Sequence, residues 1–282
     1  MSPPGLIVQG ITGRVGRIQT RWMLEYGTKL VGGVTPGKGG QWVEDLPVYD
    51  TVREAVDRHE ANASIIFVPA SSAKDAALEA LEAGLRLVVI ITEFVPIQDS
   101  MEIKRRATLS GARVIGPNCP GLLSTGVGKL GIMPADLYTP GPVGIVARSA
   151  TLSYEVAGLL TEVGLGQSTA VGVGGDAVTC TSLLEILRHF EDDQQTEAVV
   201  LVGEIGGVGE QQAASFIREM EKPVVAFVAG RSIAPGKRFG HAGAIVRREE
   251  GTAEAKIAAL SAAGAAIALT PSQIPSLLRE IM

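Results

Sequence analysis

The chain has 282 residues, of which 46% are hydrophobic and 20% charged, and a formal net charge of −5. This length suggests roughly two domains of ordinary size. The negative charge and an aromatic content of 4% argue against a nucleic-acid-binding surface. The sequence lacks an apolar run of the roughly 20 residues that cross a bilayer, a signal-peptide pattern and metal-type cysteine spacing. We therefore expect a cytoplasmic protein with neither a nucleic-acid nor a membrane partner.

Short apolar segments alternate with amphipathic segments through the first part of the chain. The predicted strands are 6–9, 30–34, 64–68, 87–92 and 113–115, and the predicted helices include 52–60, 73–83 and 99–110. This alternation predicts a parallel sheet with right-handed crossovers. An N-terminal Rossmann-like domain is therefore expected over residues 1–121.

The alternation stops over residues 122–142, where Gly, Thr and Pro dominate, and this segment is interpreted as a linker. It resumes with strands predicted at 143–147, 170–173, 198–202, 224–228 and 265–269, and helices at 151–163, 183–190, 211–220, 253–262 and 274–281. The α/β chain is thus expected to have a second, flavodoxin-like doubly wound domain with a parallel sheet over residues 143–282.

A glycine-rich loop, Gly10–Gly16 (GITGRVG), follows the first predicted strand and opens a helix. Such turns let main-chain N–H groups and the helix dipole meet a phosphate. The spacing fits the dinucleotide fingerprint only loosely, so a tight turn without a ligand remains an alternative.

The second strand is followed by Thr35–Gly40 (TPGKGG), which places Lys38 where NAD-binding folds have an acidic residue. A cation there suits NADP or the phosphorylated ribose of coenzyme A. The stretch 32–38 also fits most of a P-loop, but Gly39 stands where the magnesium-binding Ser or Thr belongs, so we reject that interpretation.

Two further loops are predicted at the carboxyl ends of strands, where open α/β sheets bind ligands: Ile91–Glu93 and Gly116–Gly121 (GPNCPG). Cys119 lies in the second loop. No histidine that could act as its base is near in sequence, so this loop is interpreted as a rigid wall beside the ligand.

The histidines divide into two kinds. His59 and His189 lie in amphipathic helical patterns, which favour surface or structural roles, whereas His241 lies in the glycine-flanked loop 240–244 (GHAGA). Glu204 follows a strongly apolar strand and is expected at the ligand-side edge, where a carboxylate can orient a histidine ring.

A helix start at Ser149-Ala150-Thr151 provides hydroxyl groups at the cap and a place for an anion. A histidine, an orienting glutamate and an anion-binding helix terminus together make His241 a candidate phosphoryl-carrying nucleophile.

Several loops together resemble those of succinyl-CoA synthetase alpha subunits, over essentially the whole chain. The matching segments are 8–13 (VQGITG), 32–40 (GGVTPGKGG), 115–121 (IGPNCPG), 131–134 (GIMP), 171–176 (VGVGGD), 203–207 (GEIGG) and 240–244 (GHAGA).

This resemblance implies a CoA ligase whose first domain binds coenzyme A and whose His241 is phosphorylated beside its partner Glu204. The implied CoA contacts are Thr12, Gly13, Arg14, Val15, Lys38, Ile91, Thr92, Glu93, Asn118 and Cys119. Tyr154 would contact a small organic acid, and Ser149, Ala150 and Thr151 would bind phosphate. The family also implies an ATP-grasp beta subunit that holds ATP or GTP with Mg²⁺, in an αβ or α2β2 assembly.

The sequence departs from the family pattern in two loops near these residues. Ala150 replaces a glycine at the helix start, and Asp176–Cys180 (DAVTC) lacks the expected proline and glycine. The alternatives are therefore a ligase for malate, citrate or another such acid, a non-catalytic CoA-binding paralogue and, more distantly, an NADP oxidoreductase.

Overall fold

The computed structural model describes residues 5–231, 241, 243–246 and 249–282. Within them the chain forms two compact units. The first comprises residues 5–121 with Val127–Ile132 and Val178–Thr181, and the second comprises Leu122–Gly126, Met133–Ala177 and the described residues from Ser182 onward. None of the described helices has the length and apolar character needed to cross a membrane.

The first sheet has seven strands in the order β3-β4-β2-β1-β5-β6-β7. Its strands are β1 (Gly5–Gln9), β2 (Leu30–Val34), β3 (Trp42–Val43), β4 (Leu46–Tyr49), β5 (Ala61–Ile66), β6 (Leu87–Ile90) and β7 (Arg113–Ile115). Its pairs are parallel except β3 with β4. The strand order reverses at β1, which pairs with β2 on one side and β5 on the other, and such a reversal opens a ligand crevice at the carboxyl ends of the strands.

Four helices connect the strands of the first sheet. They are α1 (Arg14–Glu25), α2 (Val52–Arg58), α3 (Ala70–Glu82) and α4 (Ile97–Ser110). Small residues on α3, among them Ala73, Ala77 and Ala80, are completely buried in the same core as Ile7 and Ile66. Each apolar side chain removed from water contributes about 25 cal/mol per Å² of its buried area, so this close packing is a main source of stability.

The second sheet has seven strands in the order β14-β13-β12-β10-β11-β8-β9. These are β8 (Gly121–Ser124), β9 (Gly128–Gly131), β10 (Pro140–Ala147), β11 (Gln167–Gly172), β12 (Ala198–Glu204), β13 (Val224–Ala229) and β14 (Ala266–Ala268), and the helices are α5 (Ala150–Glu162), α6 (Leu183–Asp192), α7 (Gly209–Ile217), α8 (Ala253–Ala262) and α9 (Ile274–Ile281). The order reverses at β10, which pairs in parallel with β11 and β12. All seven residues of β12 are buried, as expected for a central parallel strand.

Residues 122–142, which the sequence predicts as a linker, hold most of β8 and all of β9. Two glycines of these strands, Gly121 and Gly131, are required by close packing of the main chain. A Cβ atom on Gly121 would lie 2.0 Å from the carbonyl oxygen of Leu130, and one on Gly131 would lie 2.1 Å from that of Pro120. Gly121 and Gly131 therefore let β8 and β9 approach closely.

The α/β class with parallel-dominated sheets is confirmed. The short β3–β4 hairpin was not among the predicted elements, and the third predicted strand, 64–68, begins and ends earlier, at Ala61–Ile66. Pro69 immediately precedes α3, and its fixed φ suits the position before the first helical turn better than continuation of the strand.

Candidate functional site

The first candidate region is the turn between β1 and α1. Gly10 has a φ of +80°, which glycine adopts without steric cost, and its N–H donates to the carbonyl of Val34 at 2.8 Å. Gly13 is the N-cap of α1 and provides no side-chain cap. The first N–H groups of this helix therefore have no hydrogen-bond acceptor from the side chain of residue 13. They can donate to an anionic ligand instead.

A cavity of about 640 Å³ adjoins this turn, a volume within the range of small-molecule sites. It is lined by residues at the carboxyl ends of β1 and β2, in the loops that follow β1, β2 and β5, and on α3: Gln9, Gly10, Thr12, Gly13, Val34, Thr35, Pro36, Phe67, Val68, Pro69, Ser72, Asp75, Ala76 and Glu79. Thr12 donates its hydroxyl hydrogen to Thr35 Oγ1 at 3.1 Å. The cavity therefore joins the connection after β1 to the connection after β2.

Of the predicted CoA contacts, Thr12 and Gly13 line this cavity. Arg14, Val15 and Lys38 are exposed on the surface, the first two on the opening turn of α1. Ser72, Asp75 and Glu79 also line the cavity. Sequence reasoning missed them because they lie on α3, whose pattern indicates only an amphipathic helix.

The other predicted contacts lie after β6 and β7. Ile91 and Thr92 are half-buried and Glu93 is exposed. The hydroxyl of Thr92 donates to Val68 O at 2.7 Å, and the carbonyl of Thr92 accepts from the N–H of Asn118 at 2.9 Å. The main-chain bond between Thr92 and Asn118 thus joins the loop after β6 to the loop after β7.

Cys119 is buried and its thiol donates to the carbonyl of Ile90 at 3.2 Å. This contact fits the interpretation of the loop as a rigid wall.

The second candidate region is centred on His241. Its Nδ1 lies 2.7 Å from Oε2 of Glu204, the last residue of β12, and the two side chains are 31% and 8% exposed. A carboxylate on Nδ1 favours the tautomer with the proton on that atom, which leaves the lone pair of Nε2 for attack. Gly240 and Ala242 of the same predicted loop lie outside the described residues.

The hydrogen bond with Glu204 raises the pKa of His241 above its ordinary value, and the charge of Asp176 acts in the same direction. Burial and the cationic Arg148 oppose the increase. Glu204 therefore stabilises a positive charge on the ring, which is the charge that the imidazole develops when Nε2 forms a bond to an electrophile.

Gly175 forms one side of the histidine site. A Cβ atom at this position would lie 2.3 Å from the ring of His241. Its carbonyl accepts from the N–H of Gly243 at 2.9 Å. Glycine is therefore needed here to admit the ring.

The predicted anion site lies at the start of α5. Ser149 is the N-cap and accepts from the N–H of Leu152 at 3.4 Å, while Ala150 and Thr151 form the first turn. The hydroxyls of Ser149 and Thr151 lie 3.4 Å apart. Tyr154, the predicted acid contact, is half-buried one turn further along α5.

Arg148 links this helix start to Glu204. It immediately precedes Ser149, and its Nη2 lies 3.3 Å from Oε1 of Glu204. Sequence reasoning missed Arg148, although its position between a buried strand and a predicted N-cap is a usable signal. It also missed Glu210 and Lys256, both fully buried close to Glu204.

Two protein families match separate parts of the chain. Residues 2–94 match the CoA binding domain family, and residues 146–266 match the CoA-ligase family.

Two curated relatives align along nearly the whole chain. The alpha 2 subunit of an ADP-forming succinate–CoA ligase from Archaeoglobus fulgidus is 57% identical over 98% of this chain and 96% of its own. The corresponding alpha subunit from Methanothermobacter thermautotrophicus is 56% identical over 95% and 91%.

A solved structure shows the same arrangement of elements. ATP citrate lyase from Methanothrix soehngenii, in complex with citrate and coenzyme A, superposes with a TM-score of 0.87 at 27% identity. The match covers 99% of this chain and 51% of the lyase chain, so this chain spans about half the length of that protein.

Proposed function

Because the chain belongs to the family of succinate–CoA ligase alpha subunits, we propose that it binds coenzyme A on its first unit and carries a phosphoryl group on His241. The observation that carries the second part is the 2.7 Å contact between His241 Nδ1 and Glu204. This contact orients the ring and directs the opposite nitrogen, Nε2, to react.

The proposed reaction has three group transfers. Nε2 of His241 attacks the terminal phosphorus of ATP, and the bond from that phosphorus to the leaving ADP oxygen breaks. A carboxylate oxygen of the acid then attacks the phosphorus, which breaks the P–N bond and gives an acyl phosphate. Finally the sulfur of the CoA thiol attacks the acyl carbon, which breaks the bond to the phosphate oxygen and forms the thioester, and the thiol proton leaves with the released phosphate.

The residues around His241 supply orientation and electrostatic stabilisation in these steps. Glu204 stabilises the positive imidazole ring while Nε2 is phosphorylated. The N-terminus of α5, with Ser149 at its cap and Ala150 and Thr151 in its first turn, carries a partial positive charge that suits the transferred phosphate. Tyr154 on the same helix is the proposed contact to the organic acid.

The cavity beside Gly10 and Gly13 is the proposed site for part of coenzyme A. Its main-chain N–H groups suit the pyrophosphate, and the exposed Lys38 suits the ribose phosphate. The remaining proposed contacts are Arg14, Val15, Ile91, Thr92, Glu93, Asn118 and Cys119.

A beta subunit is implied because the relatives are alpha subunits. Among the described residues, no group of three or more His, Cys, Asp or Glu side chains can hold a metal ion. We propose that an ATP-grasp beta subunit supplies the nucleotide site and Mg²⁺, which neutralises phosphate charge, in an αβ or α2β2 assembly. The ADP-forming relatives favour ATP over GTP as the phosphoryl donor.

The first test measures phosphoryl transfer to the chain. The complex with its beta subunit is incubated with ATP labelled on the terminal phosphate, and the alpha chain is assayed for acid-labile, base-stable label. We expect label on the native chain and none on His241→Ala. A His59→Ala variant, altered outside the proposed site, should keep the label, and label retained on His241→Ala would disprove the assignment.

The second test identifies the acid. Succinate, malate and citrate are assayed for CoA thioester formation by the same complex. We expect succinate to give the highest kcat/KM, in line with the relatives that are 57% and 56% identical. A higher kcat/KM with citrate would assign the chain to the activity of its more distant structural relative instead.

A further inference from the structure

Two oppositely charged side chains lie in direct contact inside the second unit, close to the histidine site. Lys256 of α8 and Glu210 of α7 are both 0% exposed, and the Lys256 ammonium donates to Glu210 Oε2. Removing two charges from water costs several kcal/mol per ion. The attraction between the two charges offsets this cost but rarely exceeds it by much. A pair of this kind therefore calls for an explanation other than simple stabilisation.

The pair holds the main chain of Glu204 from both sides. Lys256 Nζ donates to the carbonyl oxygen of Glu204 at 2.7 Å. Glu210 Oε1 accepts from the N–H of the same residue at 3.1 Å. Both hydrogen-bonding groups of one peptide residue are thus fixed by side chains, at the point where β12 ends and its ladder of strand hydrogen bonds stops.

The same lysine also fixes the turn that follows Glu204. Its Nζ donates to the carbonyl of Gly206 at 2.6 Å, and Arg148 Nη1 donates to that carbonyl at 2.9 Å. Gly206 packs closely against the histidine loop, since a Cβ atom there would lie 2.3 Å from the carbonyl oxygen of Gly243. Movement of Gly206 would therefore displace the loop that carries His241.

Arg148 connects this support to the carboxylate of Glu204. The guanidinium lies 3.3 Å from Glu204 Oε1 and 3.6 Å from Glu210 Oε1. The remaining carboxylate oxygen of Glu204 contacts His241. From Lys256 to His241, the side chains thus form a continuous series of alternating charges.

We propose that the buried Lys256–Glu210 pair positions the phosphoryl-carrying histidine: by fixing the main chain of Glu204 it holds the carboxylate on Nδ1 of His241 and so sets the direction and tautomer of the ring. Neither residue touches the reacting atoms, so both are positioning residues. The inference rests on the function proposed above.

The energetic reason is the narrow geometric tolerance of phosphoryl transfer. A displacement of about 1 Å at a reacting group can cost about 10²-fold in rate.

Burial lowers the pKa of Lys256 from its ordinary value, while the attraction of Glu210 opposes that decrease. The ammonium form, which can donate three hydrogen bonds, therefore depends on its carboxylate partner.

The test uses the full chain in complex with its beta subunit and the double variant Lys256→Met/Glu210→Gln. A single Lys256→Met change would leave a buried carboxylate without its partner, whereas the double variant is neutral and retains a side-chain acceptor for the N–H of Glu204. Lys222→Met is the matched control. Lys222 also donates to two main-chain carbonyls, those of Phe190 and Asp193. It lies two residues before Val224, the first residue of β13, and so at the end of that strand away from Ala229.

The first measurement is the side-chain ¹⁵N spectrum of the histidines over a range of pH. The chain has only three histidines, so His241 can be assigned by its loss in His241→Ala. Among the residues that the structure describes, the charged groups that act on its ring are Glu204, Arg148 and Asp176. We expect the double variant to lose the preference for a proton on Nδ1 and to show a lower pKa of His241, because the Glu204 carboxylate is released.

The second measurement is the rate of labelling by ATP. We expect the double variant to be slower by about 10- to 100-fold, a loss of the size found when the groups that orient metal-binding histidines are removed, with the KM for CoA unchanged. Lys222→Met should match the native complex in both measurements. Unchanged spectra and rate in the double variant, or an equal loss in Lys222→Met, would overturn the proposal.

The two measurements separate this inference from the proposed function. The histidine spectrum requires no substrate, so it tests the positioning effect even if the native complex accepts no label. A native complex without label would contradict the proposed function, whereas a labelled native complex with an unaltered double variant would contradict only the positioning role.

Discussion

The two units place their ion pairs differently. In the first unit the described pairs are solvent-exposed: the side chains of Arg21 and Glu44 are 62% and 28% exposed. In the second unit they surround the histidine site and are largely buried, with 11% and 8% exposure for Arg148 and Glu204. Water screens the exposed pairs, so they contribute little to the free energy of unfolding. Buried charges are screened less and interact more strongly with one another.

The two units differ in this way although their sheets share one feature of strand order. In both sheets the strand order reverses at a central strand, β1 or β10, and a helix begins just beyond its carboxyl end. The turn after β1 contains Gly10 and Gly13 and presents its main chain, which suits reversible binding of a phosphate-containing ligand. The turn after β10 is surrounded by ionised side chains, which suits a reaction in which charge changes.

The largest expected effect is that of Glu204→Gln on labelling of His241. The neutral amide cannot stabilise the positive ring, so we expect the rate to fall by about 10²- to 10⁴-fold, as for other groups that support proton transfer or orient a catalytic histidine. The measurement is single-turnover incorporation of labelled phosphate at saturating ATP.

The pH dependence of labelling in Glu204→Gln shows in which direction the carboxylate shifts the pKa of His241. Attack requires neutral imidazole, so the native rate should decrease as the pH falls through the raised pKa of His241. Without the carboxylate, burial and Arg148 remain to lower that pKa, against the smaller opposing effect of Asp176, and the acidic limb should move to lower pH. Glu185→Gln, which alters a capping box on α6 that glutamine also supports, should leave the limb in place. A limb that stays fixed in Glu204→Gln would contradict this account.

A smaller and different effect is expected from Gly16→Ala in the first unit. The new Cβ atom would lie 2.2 Å from the carbonyl oxygen of Gly10, so the turn that lines the cavity must shift. Strain of this kind costs about 1–3 kcal/mol, and we expect the KM for CoA to increase about 10-fold while labelling by ATP is unchanged.

Gly128→Ala is the matched control, because its Cβ atom would meet only the side chain of Thr28, at 3.7 Å. If Gly16→Ala slowed labelling but left the KM for CoA unchanged, the division of labour between the two units would be wrong.

Much of the fold follows from the sequence because buried parallel strands are continuous apolar runs. The segments 30–34 and 113–115 were predicted with the bounds that the structure shows for β2 and β7. Strands β8 and β9 could not be found in this way, because glycines interrupt their apolar pattern. Two of these, Gly121 and Gly131, are required by the close approach of β8 to β9, which no local pattern reports.

The candidate site shows the same limit. Glu204 and His241 could be paired because each stands beside glycines after an apolar segment, and the structure brings them to 2.7 Å. Lys256 and Glu210 look like ordinary helical charges facing water. Their burial depends on a turn 50 residues away from Lys256 in sequence, which no local pattern reports.

The smallest expected effect is that of Arg21→Gln, which removes the exposed pair with Glu44. Arg21 donates to Glu44 Oε1 from Nε at 3.2 Å and from Nη2 at 2.8 Å, a geometry as good as that of the buried pairs. Because both groups are solvated, we expect thermal unfolding, the KM for CoA and the labelling rate to match those of the native complex. A clear loss in any of the three would show that geometry and not burial decides the effect of a charge in this chain, and the contrast between the two units would then need a different explanation.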